Sequence, residues 1–248
     1  METQFVSGHG GTRLALHRLG AGRPVLLLHG LFSSAQVNWI KYGTAARLAE
    51  AGFECLMPDL RAHGHSEAPH DPAAYPLDVL VKDALALVSA LGLTDYDLAG
   101  FSLGARTAVQ GVLAGLAPRR LVLGGMGLEG LSGWARRSAH FIDAIDRFGT
   151  IERGDRAFVA QAFMKTMKVD RVATRLLLES VGDTDAGALG GIAMETLVVC
   201  GADDQDNGSA PLLAETLPHA RYAEVPGNHM SSVTMPQFGE AIAAFLGT

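Results

Sequence analysis

The 248-residue chain holds only two cysteines, Cys55 and Cys200. Each sits inside an apolar, strand-like run. Two such thiols cannot make the disulfide framework of a small secreted domain, so both are expected to be buried and reduced. No apolar run approaches the roughly 20 residues that a membrane span needs. The N-terminal stretch METQFVSGHGGTRLALHRLG lacks the basic start and apolar segment of a secretory signal. No cluster of lysine or arginine stands out either. With 20 basic against 26 acidic residues the net charge is −6, and the electrostatic footprint of nucleic-acid binding is missing. Internal repeats and low-complexity segments are absent. What is present is an apolar content of 48%, enough for a sizeable core. These features together lead us to expect a cytoplasmic globular protein with no membrane or nucleic-acid partner; oligomeric state is not encoded in them.

Short apolar runs alternate with helical patterns. Strands are expected over Arg13–Leu19, Pro24–His29, Phe53–Pro58, Asp95–Gly100, Arg120–Gly125, Glu195–Cys200 and Arg221–Val225. Between them, residues 42–51, Leu77–Leu91, Leu103–Leu113, Ala210–Leu217 and Gln237–Leu246 space their apolar residues three and four apart, as helices do. Such alternation implies a mainly parallel sheet covered on both faces. The alternation fails once. From Gly127 to Gly191 there are three helical stretches, near 134–147, 155–168 and 170–181, and no strand. This insert carries nine basic and nine acidic residues, so the sheet-forming body holds the whole negative balance. The expected organisation is a core of residues 1–126 and 192–248, with residues 127–191 as a helical cap.

The strongest local signal is Gly100-Phe101-Ser102-Leu103-Gly104, placed where a strand meets a helix. A serine on so sharp a turn is held in a strained conformation, and glycines two residues to either side avoid clashes with neighbouring chain. A serine hydroxyl needs a base, itself oriented by a carboxylate. His229 follows the last expected strand. The loop after Leu197–Cys200 offers Asp203, Asp204 and Asp206. The order serine, acid, histidine is the one expected for a nucleophile elbow on a parallel sheet.

On these residues the chain resembles the α/β-hydrolase fold family, essentially end to end, in the manner of its serine esterase-like members with a helical cap inserted after the sixth strand. The resemblance selects Asp204 as the acid, completing a catalytic set of Ser102, Asp204 and His229. Through His29-Gly30-Leu31-Phe32 it also implies an oxyanion hole built from the backbone N–H groups of Leu31 and Leu103. His29 itself is expected to hydrogen-bond nearby loop backbone. Asp59-Leu60-Arg61-Ala62-His63-Gly64-His65-Ser66 looks like the family's Asp-x-Arg-Gly-His-Gly-x-Ser loop, with Ala62 in place of the first glycine. Asp59, His63 and His65 are close in sequence, yet no further ligand pair follows at the spacing of metal hydrolases, so a structural loop and no metal are expected. A serine rather than an aspartate at the elbow departs from the pattern of dehalogenases and epoxide hydrolases.

Gly125-Met126-Gly127-Leu128-Glu129-Gly130 matches a dinucleotide fingerprint, but the acidic residue required about 20 positions on is misplaced: Asp143 and Asp146 fall in a helical pattern. No cofactor is expected. Substrate contacts are expected from Phe32, Met126 and Met230, with Leu31 and the cap residues Phe158, Phe163, Met164 and Met167 adding apolar surface. Arg106, four residues after Ser102, has two readings. One is a salt bridge to a carboxylate such as Asp59. The other is the anchor for an anionic substrate, as in the menaquinone-pathway synthases of the same fold. The expected reaction is cleavage of a small to medium carboxylic ester. The alternatives are a carbon–carbon bond hydrolase or lyase of the same fold acting on an anionic metabolite, or a hydrolase-like receptor that binds without turnover.

Overall fold

The computed structural model describes residues 3–248. Eight strands form one sheet: β1 (Thr3–Ser7), β2 (Arg13–Gly20), β3 (Arg23–Leu28), β4 (Phe53–Pro58), β5 (Asp97–Phe101), β6 (Arg120–Gly124), β7 (Glu195–Gly201) and β8 (Ala220–Val225). Their spatial order is β1-β2-β4-β3-β5-β6-β7-β8. β1 and β2 pair antiparallel with their neighbours, and every pairing from β4 to β8 is parallel. β1 was not foreseen, because its side chains are almost all exposed and carry no burial pattern.

Val25–Leu28 are wholly buried, as a parallel strand covered on both faces must be. Alternate residues serve opposite faces. Leu26 and Leu28 join one apolar cluster, while Val25 and Leu27 join the other with Trp39 and Phe238. Helices α1 (Thr44–Glu50) and α9 (Pro236–Leu246) cover the second face; α2 (Val79–Ala90), α3 (Leu103–Leu113) and α8 (Ala210–Thr216) cover the first. A π-helical turn at Gln36–Ile40, which no apolar spacing announces, leads into α1.

Four α-helices, not three, lie between β6 and β7, α4 (Leu128–Ser132), α5 (Trp134–Asp146), α6 (Phe158–Met167) and α7 (Arg171–Ser180), followed by a 3-10 turn at Ala186–Gly191. α4 is too short to show a period. The insert is fastened to the sheet-forming body by polar contacts. The Asp78 backbone N–H donates to Ser180 O at 2.6 Å, and the Gly182 N–H donates to Asp78 Oδ1 at 2.8 Å. His70 Nε2 lies 2.8 Å from Asp170 Oδ2, whose partner oxygen Oδ1 caps α7. Among the described residues no helix is long and apolar enough to cross a membrane.

Candidate active site

The turn between β5 and α3 is built by exclusion of volume. Ser102 sits at φ 52°, ψ −112°, a region that L residues rarely occupy. A Cβ at Gly100 would meet Gly104 O at 2.2 Å, and a Cβ at Gly104 would meet Leu28 O at 2.1 Å. Only glycine fits at either place, so α3 can press against the ends of β3 and β5. The Ser102 N–H is secured on Gly124 O at 2.8 Å. The strained turn leaves the serine hydroxyl at the carboxyl edge of the sheet.

The loops that follow β7 and β8 converge on that edge. His229 Nε2 lies 3.1 Å from Ser102 Oγ, and His229 Nδ1 lies 2.8 Å from Asp204 Oδ2. The Phe101 ring supports the imidazole, with centroids 5.0 Å apart. Asp204 is buried and hydrogen-bonded to His229, whereas Asp203 and Asp206 are exposed and make no hydrogen bond to it. Burial pushes the Asp204 carboxyl up. The His229 hydrogen bond, its charge and the Asp206 N–H outweigh this and hold the carboxyl below the ordinary range. Cys200 Sγ lies 3.4 Å from the same Oδ2; burial, with the charge of Asp204, lifts the thiol to about 12, so it stays neutral and donates. Sequence reasoning missed this contact, although Cys200 and Asp204 are only four residues apart.

The backbone donors are arranged with equal economy. The Phe32 N–H is engaged by His63 Nε2 at 3.0 Å and the Gly30 N–H by Asn38 Oδ1 at 2.9 Å. Among the described residues the Leu31 N–H has no acceptor. Leu103 opens α3, so its N–H has no partner within the helix and carries part of the positive helix end. His29 and His63 have fixed tautomers. Each donates from Nδ1 to a carbonyl, of Gly30 and Arg61 respectively, and accepts at Nε2 from a backbone N–H. Asn38, in the π-helical turn, was not anticipated; an isolated asparagine carries no sequence signal of this role.

A cavity of about 720 Å³ lies over the serine, bounded by body and cap. Leu31, Phe32, Met126 and Met230 line it from below, with Met230 half exposed at the rim. From the cap come Trp134, Phe141 and Phe163, but not Phe158; Met164 is buried among cap residues and Met167 faces a separate, smaller cleft. Arg137, His140 and Arg156 also line the cap wall, polar residues that the apolar reading overlooked.

Arg106 reaches the cavity floor, but it is not paired with Asp59. Its Nη1 donates to Gly130 O at 2.8 Å and Leu131 O at 2.6 Å. Its Nη2 donates to Gly182 O and lies 3.5 Å from Asp183 Oδ1. Asp59 instead accepts from the Ala35 and His65 N–H groups, each at 2.9 Å. The helix between them sets this difference: one turn into α3, the Arg106 side chain points toward both ends of the cap insert. Nor do Asp59, His63 and His65 converge, since His63 turns inward to Phe32. The glycine run at 125–130 serves close packing; a Cβ on Gly127 would meet Gly208 O at 2.4 Å, and one on Gly130 would meet Asn207 Cβ at 2.8 Å.

Residues 23–120 match the family described as alpha/beta hydrolase fold. A 2-hydroxymuconate semialdehyde hydrolase of Pseudomonas sp. (strain CF600) is 35% identical over 125 residues, covering 49% of this chain and 42% of that protein. A bifunctional epoxide hydrolase 2 of Sus scrofa is 37% identical over 94 residues, covering 38% and 16%. The chain thus spans less than half the length of either relative. A hydrolase from Pseudomonas aeruginosa PA01 superposes with a TM-score of 0.77 at 26% identity, over 100% of this chain and 99% of the other. An esterase from Exiguobacterium antarcticum superposes with a TM-score of 0.80 at 21% identity, over 100% of both chains.

Proposed function

The chain has the α/β-hydrolase fold, and we propose that on it works a serine hydrolase cleaving a small to medium carboxylic ester. The observation that carries this reading is the hydrogen-bonded row from Ser102 Oγ through His229 to Asp204, lying under a largely apolar cavity. His229 Nε2 takes the proton as Ser102 Oγ attacks the ester carbonyl. The Leu31 and Leu103 N–H groups receive the negative oxygen, where one such donor is worth about 10²–10³ in rate. His229 then gives its proton to the departing alcohol, leaving an acyl group on Ser102. Water, deprotonated by the same imidazole, releases the acid. Asp204 holds Nδ1–H and stabilises the imidazolium. No cofactor enters this scheme, and a cavity of this size suits a ligand with an apolar acyl or alkyl part.

A second reading, a carbon–carbon bond hydrolase or lyase of an anionic metabolite, draws support from Arg137 and Arg156 in the cap wall. Arg106, already engaged by the cap, supports it less. The test is fluorophosphonate labelling with turnover of an ester panel, half of it bearing a remote carboxylate. Ser102→Ala and His229→Ala should each lower turnover by about 10⁴-fold or more, and Ser102→Ala should abolish labelling. Labelling that survives Ser102→Ala would sink the assignment of the nucleophile. Turnover confined to carboxylate-bearing substrates would favour the second reading, and tight binding without turnover would point to a receptor.

A further inference from the structure

The loop after β4 holds a second group of potential ligand atoms, away from the cavity. His17, on β2, places Nε2 at 3.3 Å from Asp59 Oδ2; His65 places Nδ1 at 3.5 Å from the same oxygen. All three ligand atoms lie within 4.8 Å of one another. Ligands about 2.0–2.1 Å from a tetrahedral zinc ion stand roughly 3.3–3.4 Å apart, close to the two distances from Asp59 Oδ2, 3.3 and 3.5 Å, with the two imidazole nitrogens within 4.8 Å of each other. None of the three residues lines the catalytic cavity.

We propose that His17, Asp59 and His65 bind one divalent ion of the zinc type, completed by water. Two imidazoles and one carboxylate suit zinc, cobalt or nickel rather than calcium or magnesium. The loop is shaped to bring the ligands together. Gly64 has φ +54°, and a Cβ there would sit 2.2 Å from Asp59 Oδ2, so only glycine lets His65 fold back over the carboxylate. Thr3 Oγ1 lies 3.4 Å from His17 Nδ1, an outer contact that turns Nε2 toward Asp59. His17 and Asp59 are buried while the His65 side chain is 72% exposed, which gives the ion its way in from solvent. An ion here would tie β2 to the loop whose Asp59 Oδ1 also holds the Ala35 N–H, behind Gly30–Phe32. Its role is to fasten the fold, independent of the ester chemistry.

The experiment uses the full chain, freed of metal by chelation, titrated with Zn²⁺ by calorimetry and with Co²⁺ by visible absorption. One equivalent should bind, with the d–d bands of low-coordinate cobalt, and Tm should rise. Because His65 is exposed, His65→Ala should fold normally yet weaken binding by at least about tenfold. His65→Cys should restore it and add a thiolate-to-cobalt charge-transfer band. His219→Ala, a distant exposed histidine, should bind as the wild type does. His229→Ala should also keep the full equivalent, which separates this site from the Asp204, Asp206 and His229 cluster. No binding at about 100 µM Zn²⁺ would overturn the proposal, being far weaker than a formed site requires. So would binding unchanged by His65→Ala.

Discussion

Replacing Arg106 by methionine tests whether this buried cation clamps the cap or serves a ligand. The guanidinium is 1% exposed, and burial draws its pKa down to about 10, partly offset by Asp183, so it remains charged at neutral pH. Three carbonyls, those of Gly130, Leu131 and Gly182, accept from it, and Trp134 lies 5.0 Å from its centre. Hydrogen bonds to a charged group are each worth about 1.5–3 kcal/mol, but methionine keeps part of the packing and water reaches part of the site. The ion pair with Asp183 adds little, since that carboxylate is 46% exposed. A loss of about 3–5 kcal/mol follows, a large share of the ~5–15 kcal/mol that holds a typical domain. Urea denaturation should show the midpoint falling sharply, and the specific activity of the folded fraction should drop as the cap loosens. The opposite pattern would refute the reasoning. Arg106 Nε is buried and has no acceptor among the described residues. Stability within about 1 kcal/mol of wild type, with KM raised tenfold only for carboxylate-bearing esters, would make Arg106 a substrate anchor.

Stability should also fall in mild acid. Burial, reinforced by His29, lowers His63 to about 3, and burial lowers His29 despite the charge of Asp59. In the unfolded chain both take up protons near pH 6.5, so the unfolded state binds more protons below that pH, and stability drops as pH falls from about 6.5 toward 3. The slope is at most about 1.4 kcal/mol per pH unit for each histidine; urea midpoints that stay flat between about pH 7.5 and 5.5 would contradict it. Gly104→Ala should abolish folding or the proposed ester turnover, because its Cβ would meet Leu28 O at 2.1 Å, whereas Gly190→Ala, with nothing within 4 Å, should be silent. Comparable soluble yield and turnover in the two variants would show that the elbow has slack.

Much of this molecule is written in local pattern. Strands such as Val25–Leu28 are buried on both faces and therefore read as unbroken apolar runs, and the elbow glycines stand where a side chain has no room. Ser102, His229 and a loop carboxylate could be nominated because each lies just past a strand of a parallel sheet, whose carboxyl ends share one edge, and the family resemblance chose Asp204 among the three aspartates of that loop. The exposed β1, the short α4 and the π-helical turn that carries Asn38 escaped, since none has a burial period. Pairings between distant segments escaped as well. That Arg106 holds Gly130, Leu131 and Gly182 rather than Asp59 depends on how α3 and the cap are set against the sheet. Asp59 meets His17 across the β2–β4 pairing and leaves the nearby His63 to Phe32. Chain spacing encodes which groups are available and which backbone positions must stay small; only the packed sheet decides which of them come within hydrogen-bonding reach, because those partners lie tens of residues apart along the chain.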